Sequence, residues 1–148
     1  MEVFDLLREV EIFDGLTEGE IKQVQSLCIR RTFQANDVIA KQNSYGDEFY
    51  IIQEGFVEVA LDGKGGRKVI VNLGTGQTIG EMSLIDQGRR SATIRALSSP
   101  TILQIILQDD FEDLCNSSGR IGYIVIRNIA ADLSFRLRQR NLNDIIQG

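Results

Sequence analysis

The spacing of apolar positions changes character twice along this chain, and the changes divide it into three regions. In the middle region, short apolar or β-branched runs are separated by turn residues, and nine of the fourteen glycines fall between Gly46 and Gly88. This punctuation predicts strands near Ile29–Phe33, Val38–Lys41, Glu48–Gln53, Phe56–Leu61, Lys68–Leu73, Thr78–Ile79, Ser91–Leu97 and Ile102–Leu107. Many short strands joined by glycine turns imply a barrel or jelly roll. Asp62-Gly63-Lys64-Gly65-Gly66 suits a mobile hairpin tip. It is not read as a phosphate loop, because no helix follows to present amides.

On either side of this centre the apolar spacing becomes helical. Thr17 and Glu20 form a capping box ahead of Ile21, Val24, Leu27 and Cys28, which predicts a short N-terminal helix. Beyond the strands, Asp109 or Asp110 can cap a helix containing Phe111 and Leu114. A break is expected at Ser117-Ser118-Gly119, then a second helix from about Arg120 to Asn143. That helix carries two apolar stripes, Ile126/Ile129/Leu133/Leu137 and Ile124/Ala131/Phe135/Leu142, the latter interrupted by Asn128 and Arg138. One stripe can cover the barrel and leave the other for a homodimer, with Asn128 setting the register. Alternatively, the second stripe packs on the N-terminal helices. The basic run Arg136-Leu137-Arg138-Gln139-Arg140 reads first as a solvated helix end stabilised by the dipole. A base contact or a surface for an acidic partner is its functional alternative.

Composition narrows the function. With 148 residues, 43% of them apolar, the chain can bury one good core but not two, so residues 1–148 are read as one domain. Its parts are 1–28, 29–107 and 108–148. A net charge of −5 argues against a nucleic-acid surface, and direct DNA binding is not expected. There is no histidine, which removes the usual general base and zinc ligand; no metal site is expected. The acid pairs Asp47-Glu48 and Asp109-Asp110 are explained as solvated charges or caps. No nucleophile and base stand at a recognisable spacing, so an enzyme is not expected. Cys28 and Cys115 read as free core thiols of a reducing compartment. MEVFDLLREV is acidic and amphipathic, unlike a signal peptide, and no run is long enough to span a bilayer. A cytoplasmic location is the expectation.

Against this background, the most informative stretch is Ile79 to Thr93, IGEMSLIDQGRRSAT. Gly80 allows a tight or positive-φ turn, so that a short helical segment can start at Glu81 and run to Leu84. Free amides at such a start attract anions. Gly80, Ser83 and Ser91 carry no bulk to exclude a ligand, and Arg90 offers the paired donors that match a phosphate. Glu81, an acceptor, can take hydrogen bonds from a sugar hydroxyl. A sugar phosphate would use both residues. The alternative is an ordinary bend closed by an Arg90–Glu81 salt bridge.

Gly80-Glu81-x-x-Leu84 followed by Arg90-Ser91-Ala92-Thr93 resembles the phosphate-binding cassette of cyclic nucleotide-binding domains. This module is shared by the catabolite activator family, protein kinase regulatory subunits and cyclic-nucleotide-gated channels. IFDGLTEGEI (Ile12 to Ile21) is similar to the family's N-terminal helical entry, and GDEFYIIQEGFVEV (Gly46 to Val59) to its first signature. The resemblance implies a mainly β fold, a double-stranded β-helix (jelly roll) with N-terminal helices and C-terminal hinge and lid helices. It further implies that Glu81 binds the ribose 2′-hydroxyl and Arg90 the cyclic phosphate, with Gly80, Met82, Ser83 and Ala92 lining the turn. Ser91 stands where serine leans towards cyclic AMP (cAMP) and threonine towards cyclic GMP (cGMP). The C-terminal helix would supply a lid over the base, with Arg127 and Asn128 as candidates. Two departures are Arg89, where many members have proline, and Gln34-Ala35-Asn36-Asp37 in place of a lysine-alanine-glycine-glutamate turn. The resemblance places Arg90 rather than Arg89 on the phosphate, because Arg90-Ser91-Ala92-Thr93 then matches the family's spacing from Glu81 without a gap.

The expected output is a conformational switch acting on a partner protein or fused domain. A ligand-free scaffold or dimerisation module is the alternative, as is a truncated catabolite activator-type regulator, since only five residues follow Asn143 and leave no room for a helix-turn-helix.

Overall fold

The computed structural model describes residues 1–86 and 88–147. Gln87, inside the 79–93 stretch, and Gly148 lie outside the described residues. The chain enters through α1 (Val3–Arg8), a 3-10 turn (Glu11–Phe13) and α2 (Glu18–Gln25). The capping box forms as the sequence predicts: Glu20 N donates to Thr17 Oγ1 at 3.2 Å and Thr17 N to Glu20 Oε1 at 2.8 Å. Eight strands follow: β1 (Ile29–Phe33), β2 (Val38–Ala40), β3 (Glu48–Glu54), β4 (Val57–Gly63), β5 (Gly66–Leu73), β6 (Thr78–Ile79), β7 (Thr93–Ala96) and β8 (Thr101–Leu107). They form two four-stranded sheets, β1-β8-β3-β6 and β2-β7-β4-β5, with antiparallel pairing throughout. This is the jelly roll, mainly β with flanking helices.

β3 explains why one strand can serve two cores. Its residues alternate faces: Tyr50 and Ile52 point between the sheets with Val57, Ile79, Ile94, Leu103 and Ile105. Phe49 and Ile51 point the other way, into a cluster with Leu6, Leu7, Phe13, Val24, Phe111, Ile121 and Val125. The helices therefore sit on the back of the β1-β8-β3-β6 sheet. Leu84, from the cassette turn, belongs to that helical cluster.

The C-terminal part is α3 (Gln108–Ser117) and α4 (Gly119–Gln147), separated at Ser118 (φ −136°, ψ 85°). Neither Asp109 nor Asp110 caps α3. The helix starts at Gln108 straight off β8, and its first amide donates to Asp47 O at 2.9 Å. Both aspartates lie in the first turn, where the dipole favours them.

The buried face of α4 also differs from the expected stripe. It is Ile121, Val125 and Ile129, with Leu133 partly covered, whereas Ile126 and Leu137 are exposed. Of the second stripe, Ile124 lies against Gly15, and Asn128 Nδ2 donates to Ile12 O and Asp14 O, both at 2.9 Å. The first half of that stripe packs on the N-terminal segment, and Asn128 is spent there. Phe135 (61% exposed) and Leu142 (50%) remain uncovered.

The hairpin is tied more firmly than its composition suggests. Asp62 and Gly63 belong to β4, leaving a two-residue turn, Lys64-Gly65. Thr93 Oγ1 donates to Asp62 Oδ2 at 2.6 Å, and Asp62 N donates to Gln42 Oε1 at 2.7 Å.

Candidate functional site: the Gly80–Ala92 cavity

β6 pairs with β3 at Tyr50–Ile79 and Ile51–Thr78, and so delivers Gly80 to the side of Glu48. Gly80 takes φ 80° and ψ 30°, the left-handed conformation that glycine enters without strain. From it runs the 3-10 turn Glu81–Leu84. Ser83 Oγ closes the turn, donating to Glu48 O (2.8 Å) and to Gly80 O (2.5 Å). This hydroxyl is committed to the backbone.

The second arm returns through Gly88–Arg90. Gly46 N donates to Gly88 O (2.9 Å), Arg90 N to Ser44 O (2.7 Å) and Asn43 N to Arg90 O (2.8 Å), with Tyr45 and Arg89 bridged in antiparallel fashion. In this extended segment, neighbours face opposite ways. Arg89 lies over the Tyr45 ring, 5.3 Å from its centroid, at the cavity rim. Arg90 turns inward, where its Nη2 donates to Glu48 O at 2.7 Å and its Cζ lies 5.0 Å from the Tyr50 ring centroid. A Cβ on Gly80 would come within 2.7 Å of Arg90 Nη1.

The two arms enclose a cavity of about 330 Å³, within the size range of small-molecule sites. Gly80, Glu81, Met82, Ser83, Arg90, Ser91 and Ala92 all line it. Its apolar floor is Ile79, at the start of the stretch singled out in the sequence, together with Val59 and Ile94, which sequence reasoning missed. Strand alternation could have suggested Val59, two residues along β4 from buried Val57, and β4 pairs with β7 in unbroken register that sets Val59 opposite Ile94. Arg127 is exposed on α4 and does not border this cavity, and Asn128 borders an adjoining cleft on the far side of Glu81.

Two arginines, Arg89 and Arg90, and two carboxylates, Glu81 and Asp86, line the cavity. Among the described residues no carboxylate lies within ion-pair distance of Arg90; its partners are a carbonyl and a ring face. The Arg90–Glu81 bridge of the simple-bend alternative is absent among them. Glu81 Oε1 instead faces Arg136 Nη1 of α4 at 3.9 Å, and Arg136 Nη2 also holds Asp132 at 2.8 Å. The basic run of α4 therefore reaches the cassette through Arg136, a contact that sequence reasoning did not assign. Its visible signal was the Asp132–Arg136 spacing, an i,i+4 pair on one helix face.

Burial sets the chemistry of Tyr50 beside the cavity and of the two cysteines packed among the helices. The Tyr50 phenol is held above the usual tyrosine range, first by burial and then by its hydrogen bond to Glu48. Cys28 is pushed up to about 12 by burial. Cys115 is raised by burial and by Glu112. Both thiols are therefore protonated at neutral pH, which suits packing more than nucleophilic chemistry.

The family profile described as "Cyclic nucleotide-binding domain" matches residues 30–118, and the chain belongs to that family, whose role is regulatory. The chain is 34% identical over 91 residues to the cAMP-dependent protein kinase regulatory subunit of Schizosaccharomyces pombe, covering 62% of this chain and 21% of that protein. It is 31% identical over 132 residues to the Cyclic AMP receptor protein of Thermus thermophilus, covering 88% and 59% respectively. Among solved structures, it resembles the N-terminal domain of a transcriptional regulator from Streptomyces coelicolor A3(2). That match has a TM-score of 0.82 and 26% identity over 93% of this chain and 95% of the other. The chain spans less than two thirds of the length of both curated relatives. Among the described residues, no group of His, Cys, Asp or Glu could hold a metal ion, and no helix is long and apolar enough to cross a membrane.

Proposed function

We propose that the chain binds a cyclic nucleotide in the Gly80–Ala92 cavity, cAMP in preference to cGMP, and passes the binding event to α3 and α4. The carrying observation is the placement of Arg90, a cation held by neutral partners beside the left-handed turn at Gly80. A cyclic phosphate there meets charge-assisted, paired donors. Glu81 accepts from the ribose hydroxyl, and Val59 and Ile94 offer apolar contact to a base. Ser91 at the rim supplies a hydroxyl and underlies the preference for adenine. The two relatives named for cAMP support the same choice.

The route to the helices has two strands. Leu84 of the cassette turn shares a packed cluster with Phe111 of α3 and with Ile121, Val125 and Ile129 of α4. Arg136 links α4 to Glu81 through charge. Ligand contacts that reposition Gly80–Leu84 therefore bias where α4 docks, by no more than the ligand's differential affinity for the two arrangements, typically about 1–3 kcal/mol. The uncovered distal face of α4, with Phe135, Leu137 and Leu142, suits a homodimer, and the output is regulation of a partner protein or a fused domain.

Displacement of a fluorescent cAMP analogue by cAMP, cGMP and non-cyclic AMP tests the reading. Displacement in the order cAMP, cGMP, AMP is expected. Failure of the analogue to bind at all would leave the scaffold alternative.

A further inference from the structure

Arg90 is bounded by the protein on three sides. A carbonyl receives its Nη2, and Gly80 allows close backbone approach. The third side is the ring of Tyr50, which is 2% exposed on β3. A leucine or isoleucine in that space between the sheets would be apolar too, but would offer no ring face. An aromatic face does something more for a guanidinium, since its quadrupole attracts the cation.

The ring is itself locked. Tyr50 Oη donates to Glu48 Oε2 at 2.7 Å, and Glu48 Oε1 lies 3.1 Å from Arg31 Nη1 of β1. Glu48 therefore acts twice on Arg90, through its backbone carbonyl on Nη2 and through its carboxylate on the tyrosine that supports the guanidinium. Long arginine side chains lose rotamer freedom when they grip an anion. A guanidinium already held in one place loses less.

We propose that Tyr50 is the positioning residue for Arg90: its ring, clamped by Glu48 and Arg31, fixes the guanidinium that meets the phosphate. This inference rests on the proposed function for its binding consequence, although the clamp itself is a property of the protein alone.

The test replaces Tyr50 with phenylalanine and then with progressively fluorinated phenylalanines, which keep the ring's shape while draining its quadrupole. Tyr50→Phe keeps the ring face but loses the tie to Glu48, and is expected to bind cAMP about two- to fivefold more weakly than the parent. Affinity then falls stepwise with fluorination, by roughly three- to thirtyfold in all, while the melting temperature stays level. A flat affinity across the series would overturn the proposal. Should the parent chain bind neither cyclic nucleotide, the proposed function fails, and the clamp is judged separately by NMR of the arginine side chains in the protein alone. The ring current of Tyr50 should displace the Arg90 Nε–H resonance, an effect kept in Tyr50→Phe and lost in Tyr50→Leu. An Arg90 resonance unmoved in a folded Tyr50→Leu protein would overturn the clamp itself.

Discussion

Arg136 on α4 faces Glu81 on the cassette turn, Nη1 to Oε1, at 3.9 Å, and the two residues are far apart in the chain. The contact joins the mobile output of the proposed switch to the residue that would accept the ribose. The pair is half-exposed and loosely spaced, so it adds little to stability. Arg136→Ala should therefore change the melting free energy by less than about 1 kcal/mol and cAMP affinity by only a few fold. It should also weaken the effect of cAMP on hydrogen exchange in α4. An unaltered exchange response in the variant would show that coupling runs through the Leu84–Phe111 packing alone.

Arg90→Ala removes the main countercharge for a buried phosphate. A loss of about 2–4 kcal/mol in cAMP binding is expected, because truncating one partner of a desolvated charge pair leaves the other unpaired. Arg90→Lys should recover only part of it, since a point charge lacks the fork. Equilibrium titration of both variants reads the difference, and a lysine variant with parental affinity would remove the argument from geometry.

Gly80→Ala places a side chain on a backbone at φ 80° and a Cβ 2.7 Å from Arg90 Nη1 and 3.2 Å from Glu48 O. The positive φ costs about 1–2 kcal/mol, and the close approach displaces Arg90. Both the melting temperature and nucleotide affinity should drop. A variant with lowered stability but normal binding would show that Arg90 relaxes without consequence.

Glu20 joins the capping box of α2 to Arg120 of α4, and its pKa is lowered, chiefly by the Thr17 amide and then by Arg120. A depressed carboxylate contributes stability that is fully present above its unfolded value, near 4.5, and is lost as pH falls through the lower folded value. Glu20→Gln should therefore be less stable than the parent at pH 7, and the gap should close in acid below pH ~4. Denaturant unfolding at several pH values measures this. A gap independent of pH would mean that the capping geometry matters and the charge does not.

How much of this was legible beforehand depends on the range of the interaction. All eight strands, the Thr17 cap and the turn from Gly80 to Leu84 were readable, since each rests on residues close in sequence. The face of α4 was not. Its apolar residues encircle the helix, so periodicity alone allows several stripes, and only docking on the roll selects Ile121, Val125 and Ile129. Asn128 looked like a lid or register residue because its partners, the carbonyls of Ile12 and Asp14, lie on a segment more than a hundred positions away. The cassette residues were found through chemical type and spacing. The apolar floor at Val59 and Ile94 was hidden because the two residues meet only through the pairing of β4 with β7, and the Arg136–Glu81 contact by the distance along the chain.

Calorimetric titration of the purified chain with cAMP, in parallel with Arg90→Ala, tests the central claim most directly. Saturable binding of one nucleotide per chain, abolished or weakened at least thirtyfold (about 2 kcal/mol) by the substitution, is the predicted result. Absence of heat and binding at millimolar cAMP, or equal binding by the folded Arg90→Ala protein, would contradict it.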